Sequence, residues 1–266
     1  MPETSRQASS MASLELIGFE HFFIDTSNLD VIAKSNLKEI QHEFDKLSRD
    51  RYGEEDNRFR SYARGVLLPW KTKFEWIPPT QFANGQPSTE YYQGPYNPEF
   101  AGERRLLPAI SEKMRSNSLL CQLIWANFGR TFWPETLRMH PLQVGVSFIK
   151  LQVDVDHRRA LSTPDSFHQD GETFTFAHLV KREGIIGGIN AIADPSAAGK
   201  VATDVSREQP LAEFQLCCPL ESYAIFDPLV SHYISPIELE SGHSRGERSI
   251  VLIDFTPMVP LHHAIQ

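Results

Sequence analysis

The feature that most restricts the fold is a change of texture after Pro141. From there the chain breaks into short runs of β-branched, aromatic and aliphatic residues: Val144–Val153, Thr173–Val180, Ile185–Ala193, Phe214–Cys218, Ser222–Phe226, His232–Ile237 and Ser249–Phe255. Turn pairs such as Asp194-Pro195, Asp227-Pro228 and Ser241-Gly242 separate them. Short strands punctuated in this way build sandwiches and barrels. No helical periodicity alternates with them, which disfavours parallel βαβ units. The expected fold is mainly β, with a double-stranded β-helix (jelly roll) core and N-terminal helices buttressing one sheet.

The N-terminal half reads differently. Leu29, Ile32, Leu37, Ile40, Phe44 and Leu47 roughly follow one helical face, with Ser27 or Asn28 as the cap. A second helical stretch covers Ser118 to Phe128. Between them, Arg51 to Phe100 is rich in proline, glycine, tyrosine and asparagine, so short strands and loops are expected there. Residues 1–13 are polar, without a signal-peptide core, and read as a disordered tail. Residues 14–266 then form a single domain.

With 266 residues and 41% hydrophobic content, a core of normal size needs no staples. The formal net charge of -8 and the lack of a basic stripe argue against nucleic acid as partner. No apolar run approaches the roughly 18 residues of a membrane span. Three cysteines, two of them adjacent, do not make a disulfide framework and fit a reducing compartment. The expected location is the cytoplasm.

The chemistry concentrates in Ser166-Phe167-His168-Gln169-Asp170-Gly171-Glu172. In extended chain, residues two apart share a side, so His168 and Asp170 present an imidazole and a carboxylate together. Gly171 then lets the chain turn. Such a pair is a weak motif alone; its other reading is a surface turn. His232, opening a late strand after Asp227-Pro228, supplies a third donor. Two histidines and one carboxylate form a facial triad that leaves three coordination sites of Fe(II) open. Two of these suit a chelating keto acid and one suits O2.

A cation follows. Arg248, in Gly246-Glu247-Arg248-Ser249, starts the last expected strand and is placed to hold the distal carboxylate of 2-oxoglutarate. Arg245 is the competing choice.

At these residues the sequence resembles a known family. The run from His168 to Arg182, then Gly187-Gly188, Ser231 to Ile237 and Gly246-Glu247-Arg248 look like the bacterial L-isoleucine dioxygenase group of 2-oxoglutarate-dependent amino acid hydroxylases. The likeness covers roughly Leu142 to Pro257. It implies iron on His168, Asp170 and His232, 2-oxoglutarate on Arg248, and oxidation of a free amino acid, most often hydroxylation.

Substrate contacts are read from the residues alone. Arg60 is the first choice for a substrate carboxylate. Glu172 either faces the same cavity and takes an ammonium group, or is turned to the surface by Gly171. Tyr92 and Asn97, in an aromatic and polar loop region, complete the set. His178 reads as a packed histidine, and Asp227 as a residue that shapes the turn before His232, with orientation of its imidazole as a second role. Two rivals stand beside the dioxygenase: a metal-dependent, cupin-like isomerase or hydrolase that makes no use of 2-oxoglutarate, and a barrel that binds without catalysis.

Overall fold

The computed structural model describes residues 13–53, 56–92, 102–162, 164–205 and 210–258. Asn97 and residues 1–12 of the expected tail lie outside them. The first strands in chain order are β1 (Phe19–Phe23), β2 (Arg58–Leu68), β3 (Lys73–Trp76), β4 (Thr80–Gln81), β5 (Pro87–Tyr92) and β6 (Arg104–Pro108). The middle of the chain gives β7 (Leu142–Asp154), β8 (Arg159–Ala160), β9 (Phe174–Glu183), β10 (Ile185–Gly187) and β11 (Ile189–Ala193). The last are β12 (Pro210–Gln215), β13 (Glu221–Phe226), β14 (Ser231–Ile234), β15 (Ile237–Leu239) and β16 (Arg245–Pro257).

One large sheet carries the order β1-β13-β9-β16-β7-β2-β3, and every named pair in it is antiparallel. Its strands alternate in side, apart from an irregularity in β9 at Val180, which has no partner on β16. On β16, Val251, Ile253 and Phe255 face outward; Arg248, Ile250, Leu252 and Asp254 face inward. The outward residues join Val144, Val146 and Phe148 of β7 and Phe174 and Phe176 of β9 in the main core. Two helices close that core, Val31–Phe44 through Leu37, Ile40 and Phe44, and Ser118–Phe128 through Leu119, Leu120, Leu123 and Ile124. The rings of Phe44 and Phe148 stack at 5.0 Å across this interface. Each fully buried side chain of this size stabilises the fold by about 1.5–3 kcal/mol.

The inward face packs on two three-stranded sheets, β12-β11-β14 and β10-β15-β8. Ile250, Leu179 and Ile225 meet Ile192 of β11, while Leu151 and Val153 meet Ile185, Ile237 and Leu239. The result is the expected jelly roll with helices on one sheet.

Local expectations change in three places. The cap of the first helix is Asp30, whose side chain accepts from Ala33 N at 2.7 Å; Ser27 and Asn28 belong to a 3-10 turn capped by Asp25. The loop-rich stretch contains β2, an eleven-residue strand paired along β7. Arginines at 58, 60 and 64 disguise it, because they point into the barrel where the pattern leads one to expect apolar residues. Finally, Ile185–Ala193 is two strands, broken where Gly187 and Gly188 adopt φ of 77° and 67°.

Candidate metal centre and its cavity

His168 and His232 are brought together by backbone pairing. They form an antiparallel bridge in which each N–H donates to the other's carbonyl at 2.9 Å. Phe167 secures one side: it is buried, packs on Tyr233 and exchanges backbone hydrogen bonds with Lys200 and Gly199. Alternation then turns His168 and Asp170 to the opposite side. Gly171, at φ 86°, lets the chain leave this extended segment directly after Asp170.

The three side chains converge. His168 Nε2 lies 3.5 Å from Asp170 Oδ1, and His232 Nε2 lies 3.4 Å from Asp170 Oδ2. One donor atom from each residue falls within 4.8 Å of the other two. Three ligands at about 2.1 Å from one ion, mutually at right angles, lie about 3.0 Å apart, so a bound ion would draw these donor atoms closer together.

The polar surroundings suit a cation. Ser166 O lies 3.0 Å from His168 Nδ1, which must donate to that carbonyl and so leaves Nε2 as a bare lone pair. Burial, and His232 beside it, push the His168 pKa down to about 4, keeping it neutral and able to ligate. Burial also opposes charge on the other two. Asp170 and Asp227 nevertheless hold His232 above the ordinary imidazole range, and the two imidazoles with Arg60 hold Asp170 below the carboxylate range. Asp227 braces the turn: its carboxylate accepts from the N–H groups of Asp170 and Gly171, and its backbone carbonyl accepts from Gln169 Nε2 at 2.6 Å.

Arg248 sits on the inner face of β16, 5% exposed. Its Nη2 donates weakly to Asn190 Oδ1 at 3.4 Å, and its Nε has no partner. It makes no ion pair among the described residues. Burial lowers its pKa to about 10, opposed by Tyr223. A buried guanidinium without an anion is costly, and a carboxylate arriving from a ligand relieves the cost. Arg245 is exposed instead and donates to Gln152 Oε1 at 2.7 Å.

The remaining expected contacts divide. Arg60 is buried on the inner face of β2, donates to Ser147 Oγ at 3.0 Å and lies 4.6 Å over the Tyr91 ring. Glu172 is half-buried, with a partnerless Oε2. Tyr92 is exposed and sits under Arg104, away from this group. Alternation on β5 gives the inward position to Tyr91, which lies between Arg60 and Arg105 and meets Tyr62 edge-on at 5.0 Å. His178 is fully buried on the outer side of β9, between Asn127 and Ser222.

Asn190, Tyr223 and Asp254 also enter this interior, and sequence reasoning passes over them. Only Asp254 leaves a trace there, as an acid six residues, an even number, beyond Arg248 on one strand.

A jelly roll that gathers two histidines and an aspartate, and buries on its inner face an arginine with no anion among the described residues, has the architecture of a non-haem iron oxygenase that uses a keto acid. The chain belongs to the 2OG-Fe dioxygenase family, whose model matches residues 41–254. It is an enzyme that uses Fe(II) and 2-oxoglutarate. No curated protein sequence matches the chain. Among solved structures it is similar to IDO from Bacillus thuringiensis, at 19% identity and TM-score 0.74, over 95% of this chain and 100% of that one. A bsmA homolog from Methylobium petroleophilum PM1 gives 17% identity and TM-score 0.71, over 95% and 93%. The Fe(II)/α-ketoglutarate-dependent dioxygenase TqaL gives 10% and 0.68, over 100% and 94%. At such identities the likeness speaks for the fold alone. Among the described residues, no helix is long and apolar enough to cross a membrane.

Proposed function

We propose that the enzyme oxidises a free amino acid or an amino-acid-like small molecule, most simply by hydroxylation, consuming O2 and 2-oxoglutarate and releasing succinate and CO2. The observation that carries the oxidative part is the convergence of His168, Asp170 and His232, together with Arg248 on the inner face of β16, a buried cation without an anion among the described residues. An isomerase or hydrolase on the same barrel has no use for Arg248. The amino acid part draws on the likeness of the His168 to Arg182 run to the L-isoleucine dioxygenase group, and on Arg60 and Glu172 in the same interior.

His168, Asp170 and His232 would hold the iron, and Arg248 would pair with the distal carboxylate of 2-oxoglutarate. When bound, Fe(II) and 2-oxoglutarate supply the oxidation, placing one atom of O2 in the product hydroxyl and the other in succinate. Arg60 receives the substrate carboxylate and Glu172 the substrate amine, which fixes the carbon presented to the oxidant. Ile250 and Leu252, inward on the same strand as Arg248, pack into the apolar cluster of Leu179, Ile192 and Ile225.

The test is succinate release with Fe(II), 2-oxoglutarate and a panel of free amino acids. Stimulation by one or more of them, with a product heavier by one oxygen, is expected. Stimulation only by compounds that lack an amine would overturn the substrate class. Metal binding with no use of 2-oxoglutarate would overturn the reaction.

A further inference from the structure

The barrel interior holds charges of both signs that do not neutralise each other. Arg60 is 8% exposed, its Nε has no partner, and among the described residues its side-chain hydrogen bond goes to a neutral hydroxyl, Ser147 Oγ. Asp254 is 7% exposed and Glu172 Oε2 is buried without a partner. None of the three makes an ion pair among the described residues. Arg60 and Asp254 sit over the same face of β7, Arg60 on Ser147 Oγ and Asp254 on the N–H of Gly145 two residues earlier, and Arg60 opposes the rise that burial gives the Asp254 pKa. An arginine meant only to neutralise these acids would contact one of them. This one is held back on Tyr91 and Ser147.

Asp254 is also set in a prepared position. It lies opposite Gly145 in the β16–β7 register, and its Oδ1 accepts from Gly145 N–H at 3.1 Å. A Cβ on residue 145 would overlap the Asp254 carboxyl, so only glycine lets the acid lie against β7. Its Oδ2 makes no hydrogen bond among the described residues. Burial pushes the pKa of Asp254 up to about 7, a penalty that an arriving cation relieves.

We propose that Asp254, seated in the space left by Gly145, is a substrate-binding residue that receives the protonated amine of the substrate, with Glu172 beside it and Arg60 taking the carboxylate. A separated cation and anion pair in one buried space is the complement of a zwitterion. This rests on the amino acid reading above. It adds Asp254 as the residue that selects for the amine and Gly145 as the residue that permits it.

The experiment compares L-amino acids with their 2-hydroxy acid analogues, in which a hydroxyl replaces the amine, on the wild type, D254N and G145A. Anaerobic binding of 2-oxoglutarate to the Fe(II) enzyme is measured separately. The wild type is expected to prefer its best amino acid over the hydroxy analogue by about tenfold to hundredfold in kcat/KM, the range for a hydrogen bond to a charged group. D254N and G145A are expected to lose most of that preference, chiefly through KM for the amino acid. A wild type that binds 2-oxoglutarate but shows no preference for the amine overturns the assignment and leaves the dioxygenase intact. So does a folded D254N or G145A that keeps the wild-type preference. Failure of the wild type to bind 2-oxoglutarate would overturn both.

Discussion

The carboxylate of Asp227 accepts two backbone hydrogen bonds from the turn that carries Asp170, at 3.1 Å from Asp170 N and 2.9 Å from Gly171 N. Asp227 therefore fixes where the carboxylate of Asp170 points, although it contributes no donor to the triad. Groups that orient metal ligands in this way typically govern affinity by about 10–100-fold. D227A should weaken Fe(II) binding by that amount in an anaerobic titration, with the fold retained by circular dichroism. An affinity within twofold of wild type would show that the turn holds itself.

Arg248 and Arg245 make opposite predictions from neighbouring positions. R248A removes the one buried, unpaired guanidinium at the start of β16, and the KM for 2-oxoglutarate should rise on the order of a hundredfold, as for loss of one partner of a buried charge pair. R245A removes an exposed side chain that, among the described residues, donates to Gln152 and reaches the buried Glu247 carboxylate only at 4.0 Å, and the same KM should stay within about twofold. Equal effects from both variants would remove Arg248 from its role.

His178 predicts an acid limb of stability. Ser222 Oγ donates to Leu220 O at 2.8 Å, so it accepts from His178 Nδ1, and Nε2 accepts from Asn127 Nδ2 at 2.8 Å. This neutral imidazole is fully buried, and burial lowers its pKa to about 3. The unfolded chain, with a histidine near 6.5, binds the proton more readily. The contribution is thus complete above pH 6.5 and is lost as the pH falls toward 3. Between pH 7 and 4.5 it amounts to about 2–3 kcal/mol at 1.36 kcal/mol per unit. H178Q should be less stable at pH 7 and should flatten this limb in urea unfolding. An unchanged slope would place the acid sensitivity elsewhere.

What the sequence discloses follows from how each feature is encoded. The strands after Pro141 are legible because turn residues bound them, and the triad because His168 and Asp170 obey the period of a strand while His232 follows a turn. Arg248 is legible because it opens an otherwise apolar run. β2 is hidden: three of its inward positions are arginines, so the alternation that marks a strand is present but largely inverted. Tyr91 and Tyr92 are adjacent in an aromatic patch, and the choice between them depends on the phase of β5, which only the pairing with β6 fixes. Asp227 is readable as a turn residue, but its grip on Asp170 joins two segments far apart in sequence. Asp254 lies among apolar neighbours, and its relation to Gly145 depends on the register of two strands.

That register has a wider consequence. One strand, β16, supplies Val251, Ile253 and Phe255 to the dry layer under the helices and Arg248 and Asp254 to the catalytic interior. Inserting or deleting one residue between Arg248 and Asp254 exchanges the two sides for part of the strand, driving a charge into the helix layer and a greasy side chain into the reaction chamber. Family members are therefore expected to vary in identity along this segment far more freely than in length.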